Sequence, residues 1–217
     1  MPALVKHLGL ADYLSTYEAM QTFTKSRDNT TQDEIWVLEH PPVFTLGLAG
    51  DAGNLHSPSK QIPLVEVDRG GEITYHGPGQ IVIYLLLDLK RLGIYVKELV
   101  SRIEQALIDT LADFGIQAER RAGAPGIYIS TQSGVSAEWI GAKVAALGLK
   151  VSKNCSYHGL ALNVATDLEA FGRIHPCGYE GLKTVDMQTL GIKDNIDTIS
   201  QRLLEHLQKQ LMSHDHK

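Results

Sequence analysis

Residues 81–89, Ile81–Leu89, read IVIYLLLDL, and their first seven positions carry no charge. A strand with one wet face alternates apolar and polar side chains. This one does not, so it predicts a strand buried on both faces, with helices covering both sides of the sheet. One cover lies just downstream. Val96, Leu99, Val100, Ile103, Ala106, Leu107, Thr110, Leu111 and Phe114 recur at helical spacing, and Gly115 stops the helix. Directly upstream stands Arg69–Gln80, RGGEITYHGPGQ, with glycine or proline at 70, 71, 77, 78 and 79. Glycine lets backbone approach backbone or ligand where a Cβ would clash. Two readings follow: a pocket wall that holds Arg69 and His76 between two turns, or a hairpin with two glycine-rich corners.

Further out, Leu4–Leu8, Glu34–Leu38, Val43–Leu46, Leu64–Val67, Ile116–Arg120, Gly126–Ser130 and Tyr157–Val164 read as strands, and Trp139–Leu149 as mostly extended. Gly50–Lys60 reads as a surface loop and Thr131–Val135 as a turn. Asp12 is a candidate N-cap for a helix through about Thr24, with Leu14, Tyr17, Ala19, Met20 and Phe23 on one face. Thr166–Phe171 suggests one helical turn. A last helix begins near Asn195, with Ile196, Ile199, Leu203, Leu204, Leu207 and Leu211 on its apolar side. The strands cluster and do not alternate strictly with helices. The expectation is therefore an α+β fold, a mixed central β-sheet flanked by α-helices, over a doubly wound one. Residues 1–213 are read as one catalytic domain and 214–217 as a polar tail.

The chain has 217 residues, 43% hydrophobic and 21% charged, with a net charge of −5. That balance argues against broad nucleic-acid binding, which needs a basic footprint. No run has the length of a membrane span, and the N-terminus lacks a signal-peptide pattern. Cys155 and Cys177 are then expected as free thiols in a reducing cytoplasmic compartment. No Walker loop, dinucleotide fingerprint or Gly-x-Ser-x-Gly elbow occurs.

Cys177 lies between proline and glycine in His175-Pro176-Cys177-Gly178-Tyr179. It is either a buried loop cysteine, a nucleophile or a metal ligand. Cys155, just before a strand, reads as buried. Cys155, His158, His175 and Cys177 make a conceivable zinc set, although His-x-Cys gives poor ligand geometry in a regular strand. Lys143 is the one charge in Gly141–Gly148, GAKVAALG. It either snorkels to the surface or points into a pocket. His76, His158 and His175 lie near glycines, and their types alone assign no role.

Four blocks carry a resemblance: Arg69-Gly70-Gly71-Glu72-Ile73-Thr74-Tyr75-His76-Gly77-Pro78-Gly79-Gln80, then Gly141–Gly148, then Tyr157–Val164 (YHGLALNV), then His175–Tyr179. Together and in this order they resemble the lipoyl(octanoyl) transferases, over about Val37 to Leu190. The resemblance implies transfer of an octanoyl group from acyl carrier protein to a lysine of lipoyl domains through a cysteine thioester, the first step of endogenous protein lipoylation. It implies acceptors in 2-oxoacid dehydrogenase complexes and the glycine cleavage H protein, and no cofactor or metal. It also implies a fold shared with biotin and lipoate protein ligases. Carried over by motif, Cys177 is the acyl-accepting thiol and Lys143 the catalytic lysine. The acyl-binding walls fall on Arg69, Gly70, Gly71, Glu72, Ile73, Thr74, Tyr75 and His76, on Ala146, Leu147 and Gly148, and on Gly159, Leu160 and Ala161.

Two departures are visible. The family often has asparagine where His175 stands, and Thr131–Glu138 (TQSGVSAE) is insert-like. A thiol suits thioester chemistry without ATP, and a nearby cation favours the thiolate. Oxyanion donors are expected near Gly178 or in the His76–Gly79 turn, with Arg69 or His76 orienting the thioester and Leu147, Leu160 and Leu162 along the acyl tail. Acyl carrier proteins are acidic, so docking calls for a local basic patch, with Arg120, Arg121, Lys150 and Lys153 as candidates. A monomer is expected. The competing readings are an ATP-dependent lipoate ligase on the same fold and a non-catalytic zinc or binding module.

Overall fold

The computed structural model describes residues 3–175 and 181–212. Its strands are β1 (Leu4–Leu10), β2 (Glu34–Glu39), β3 (Val43–Leu46), β4 (Leu64–Glu66), β5 (Ile73–His76), β6 (Gln80–Leu86), β7 (Ala118–Arg121), β8 (Ala124–Ile129), β9 (Lys143–Ser152) and β10 (Cys155–Asn163). The helices are α1 (Tyr13–Ser26), α2 (Leu89–Leu92), α3 (Val96–Asp113), α4 (Leu168–Phe171) and α5 (Ile196–Met212). A seven-stranded sheet runs in the order β1-β2-β6-β10-β9-β8-β7. Only β1 and β2 are parallel in it; its other neighbours are antiparallel. The α+β expectation, a mixed sheet flanked by helices, is what the chain forms.

The apolar run lies where its composition requires, one strand short of the centre of this sheet. Ile81, Ile83 and Leu85 face a core shared with Leu99, Ile103 and Leu107 of α3 and with Ile199, Leu203 and Leu207 of α5. Val82, Tyr84 and Leu86 face the other way, onto Met20 of α1 and Trp36 and Leu38 of β2. Each such buried aliphatic side chain contributes about 1.5–3 kcal/mol.

Several elements depart from the sequence reading. The strand ends at Leu86; Leu89 opens α2, because the Asp88 carboxylate accepts from the Arg91 N–H at 3.0 Å and caps a helical turn. Asp12 caps α1 as anticipated, accepting from Ser15 N–H at 3.0 Å. The buried stripe of that helix, however, is Tyr13, Thr16, Met20 and Thr24, and Leu14 faces out. The chain also builds a second sheet, β4-β3-β5, in addition to the central one. In it, β5 pairs antiparallel with β3, while β6 belongs to the large sheet. RGGEITYHGPGQ is therefore no hairpin. Its Ile73–His76 segment lies in one sheet, and the Gly77–Gly79 turn carries the chain across to the other.

Candidate active site

That crossing places Arg69–His76 over β9 and β10 and leaves a cavity of about 490 Å³ between them. The size lies within the range usual for small-molecule sites, about 300–1,000 Å³. The strap is fixed by backbone: Leu48 N–H donates to Arg69 O at 3.0 Å, and Gly70 N–H donates to Leu149 O at 3.0 Å. Arg69 is buried and donates to Thr45 O and Thr45 Oγ1, both at 2.8 Å, and to Gly70 O at 3.0 Å. Its guanidinium thus stitches the strap to β3.

Lys143 opens β9 and lines the same cavity at 7% exposure. It is drawn inward and does not snorkel to the surface. Its Nζ donates to Pro125 O at 3.0 Å and lies 5.6 Å from the centre of the Tyr128 ring. Gly126, at φ 135°, makes room for it: a Cβ there would overlap the lysine stem and sit 2.8 Å from Ala145 O. Its backbone is clamped on both sides, Lys143 N–H to Lys183 O at 2.8 Å and Val185 N–H to Lys143 O at 3.0 Å.

The wall also holds a buried polar network around His76, and the sequence reading assigned no role to its partners Gln80 and Asn163. His76 Nδ1 lies 2.7 Å from Gln80 Oε1; Gln80 Nε2 donates to Tyr75 O at 3.1 Å and to Asn163 Oδ1 at 2.9 Å; Asn163 Nδ2 donates to Val185 O at 3.2 Å. Burial, with His40 and Arg69 nearby, pushes the His76 imidazole down to about 3. His40 Nδ1 meets Ala11 O at 2.6 Å and His40 Nε2 meets Tyr84 OH at 2.7 Å, and burial lowers this imidazole too. Burial pushes Tyr13, stacked on His76, up to about 12.

His158 adopts φ 61° within β10 and points Nε2 at Asp68 Oδ1, 3.1 Å away; burial lowers its basicity. Tyr157 also donates to Asp68. Burial opposes ionisation of Asp68, but hydrogen bonds from His158, Tyr157 and Tyr17 outweigh it and hold the carboxyl well below its usual range. Asp68 escaped the sequence reading because it precedes the motif by one residue. Asn163 escaped because it closes a strand otherwise read as apolar.

The sequence-derived residues fall as follows. Arg69, Gly70, Gly71, Glu72, Ile73, Thr74, His76, Ala146, Leu147, Gly148, Gly159, Leu160 and Ala161 line the cavity together with Lys143. Tyr75 packs instead with Phe44 and Phe171 in a separate small core. Leu162 packs into the main core. Cys177 lies outside the described residues. Its neighbour His175 is held by its N–H to Asn54 O at 2.9 Å and by a ring contact with His56.

Cys155 is buried at the head of β10, as expected, with Sγ 3.6 Å from Lys153 O. His158 is three residues further along that strand, about 10 Å away, and its Nε2 faces Asp68. Among the described residues no group of three His, Cys, Asp or Glu side chains could hold a metal. In the suggested basic patch, Arg120 is tied to Glu104 at 3.1 Å and to Gln105, while Arg121 lies over the Tyr128 ring.

Comparison with known proteins gives this geometry a family. A model described as the lipoyl protein ligase A/B catalytic domain matches residues 12–208. The chain is 87% identical to an octanoyltransferase of Polynucleobacter asymbioticus, over 98% of this chain and 99% of that protein. It is 57% identical to one of Paraburkholderia phymatum, over 95% and 81%. Among solved structures it is similar to a bi-partite lipoate protein ligase from Thermoplasma acidophilum, with a TM-score of 0.72 at 14% identity over 97% of this chain and 84% of that one. A biotin protein ligase from Aquifex aeolicus follows at a TM-score of 0.54 and 13% identity, over 97% and 69%. These two likenesses speak for the fold. With the family model spanning nearly all of its length and relatives this similar, the chain belongs to the lipoyl protein ligase A/B catalytic domain family.

Proposed function

We propose that this protein is an octanoyltransferase that moves the acyl group from acyl carrier protein to a lysine of a lipoyl domain, with Cys177 and Lys143 as its reacting pair. The observation that carries the reading is Lys143, 7% exposed, set in the wall of a cavity sized for a small ligand. The 87% identity to an octanoyltransferase supports the choice of acyl group. In the first half-reaction the Cys177 thiolate attacks the thioester carbon of the donor. The bond from acyl carbon to carrier sulfur breaks, and the carrier leaves as a thiol with the proton that Cys177 gave up. In the second, the acceptor amine attacks the enzyme thioester. Its surplus proton passes by way of Lys143, and the Cys177 sulfur leaves. A lysine cation favours the thiolate in the first step, and its neutral form takes the proton in the second. The strap residues Arg69–Thr74 and His76, with Ala146–Gly148 and Gly159–Ala161, enclose the acyl chain. Acceptors are lipoyl domains such as those of 2-oxoacid dehydrogenases, and the setting is the cytoplasm.

The test is the mass of intact enzyme after incubation with octanoyl carrier protein in the absence of ATP. One hydroxylamine-sensitive octanoyl group is expected on the wild type and none on Cys177→Ala. An unmodified wild type, or a Cys177→Ala enzyme that still carries the group, overturns the reading; the latter would point to Cys155.

A further inference from the structure

The network behind the cavity wall fixes more than packing. Tyr75 O and Val185 O are backbone carbonyls and can only accept, so the amide nitrogens of Gln80 and Asn163 must face them. Gln80 Oε1 is then the atom turned toward His76 Nδ1, 2.7 Å away, and Nδ1 must carry the hydrogen. Nε2 is left as the ring nitrogen with a lone pair. His76 is 7% exposed and lines the cavity, and its ring lies 5.8 Å from that of Tyr13, at 15° to it. The ring therefore has little freedom to turn over.

We infer that Gln80 is a positioning residue that holds His76 as the Nδ1–H tautomer, so that His76 Nε2 accepts a hydrogen bond from an N–H of the incoming acceptor amine. An acceptor-only nitrogen cannot stabilise a developing oxyanion and would repel the thioester carbonyl, so the ring does not orient that oxygen. Its weak basicity, set by burial, makes it a hydrogen-bond acceptor and a poor proton acceptor. That suits a lysine amine, which must aim its lone pair at the thioester carbon while its N–H bonds find partners inside the cavity. The inference rests on the Cys177 thioester reading, and it concerns the second half-reaction alone.

Nitrogen-15 NMR of histidine-labelled enzyme tests the tautomer, with the His76 signals assigned by their absence in His76→Asn. A proton on Nδ1 and a bare Nε2 between pH 6 and 8 are expected; a proton on Nε2 overturns the proposal. Single-turnover measurements test the role. His76→Asn keeps a donor for Gln80 but has no atom at Nε2. It is expected to slow transfer of the group to a lipoyl domain at least tenfold more than it slows formation of the octanoyl-enzyme. Gln80→Leu is expected to show the same split. Equal loss in both half-reactions, or wild-type transfer by His76→Asn, overturns it. A wild type that forms no octanoyl-enzyme defeats the Cys177 reading instead, and the NMR result stands apart from that outcome.

Discussion

Substitution at Tyr75 separates the cavity wall from the scaffold behind it. The ring is 1% exposed and lies 5.6 Å from Phe44 and 5.5 Å from Phe171, centre to centre. Tyr75→Ala removes a fully packed aromatic ring and is expected to cost about 3–5 kcal/mol, lowering Tm by on the order of 10 °C. Octanoyl transfer measured at low temperature is expected to stay within about three-fold of wild type. A large loss of activity with an unchanged melting curve would instead put this ring in the wall. The residue also marks where sequence reading stopped. As a block, RGGEITYHGPGQ is a continuous wall, but β5 obeys the two-residue period of a strand. Thr74 and His76 therefore reach the cavity while Tyr75 turns away. Gln80 and Asn163 were missed because their role is to hold another side chain or a backbone carbonyl, and such second partners leave no spacing pattern in a single sequence.

At the scale of elements, the close approach of β10 to β6 sets the floor of the cavity. Gly159 faces Tyr84 across the ladder, and a Cβ on it would strike the Ile83 carbonyl. Gly159→Ala is thus expected to push the two strands apart, at about 1–3 kcal/mol. A melting temperature several degrees lower and a raised KM for the octanoyl donor would follow, checked by thermal denaturation and steady-state kinetics. An unshifted melting curve would show that the strands yield without cost. A glycine inside a strand, as in YHGLALNV, marks either a bulge or a close backbone approach, and here it is the approach. Long, strongly patterned elements were legible for the same kind of reason: β6 through its unbroken apolar run, α3 and α5 through their stripes. The three-stranded sheet was not. Its strands are three or four residues long, and its β3–β4 pair joins segments separated by a 17-residue excursion, so no local period reports the pairing.

At the scale of the whole molecule, three buried imidazoles make folding depend on pH. Burial lowers the folded-state basicity of His40, His76 and His158 below the unfolded value near 6.5. Above that pH neither state binds the proton and stability is unaffected. As pH falls below about 6.5 the unfolded chain takes up protons that the folded chain refuses, so stability drops with acidification. For His76 this window extends down to about 3. Each group contributes a slope of up to about 1.4 kcal/mol per pH unit within its own window. Asp68 does not offset this: its carboxyl is depressed in the folded state, and the stability it adds is lost only below the ordinary carboxylate range near 4. Urea denaturation at pH 7.5, 6.5, 5.5 and 4.5 is therefore expected to show a plateau followed by a steep decline, with most of the loss below pH 6. His76→Asn, with one fewer proton refused, is expected to flatten that decline by roughly 1 kcal/mol per pH unit. The same slope in both proteins would mean that His76 is accessible to protons when folded, and that the cavity wall is open on the side where the hydrogen-bond network closes it.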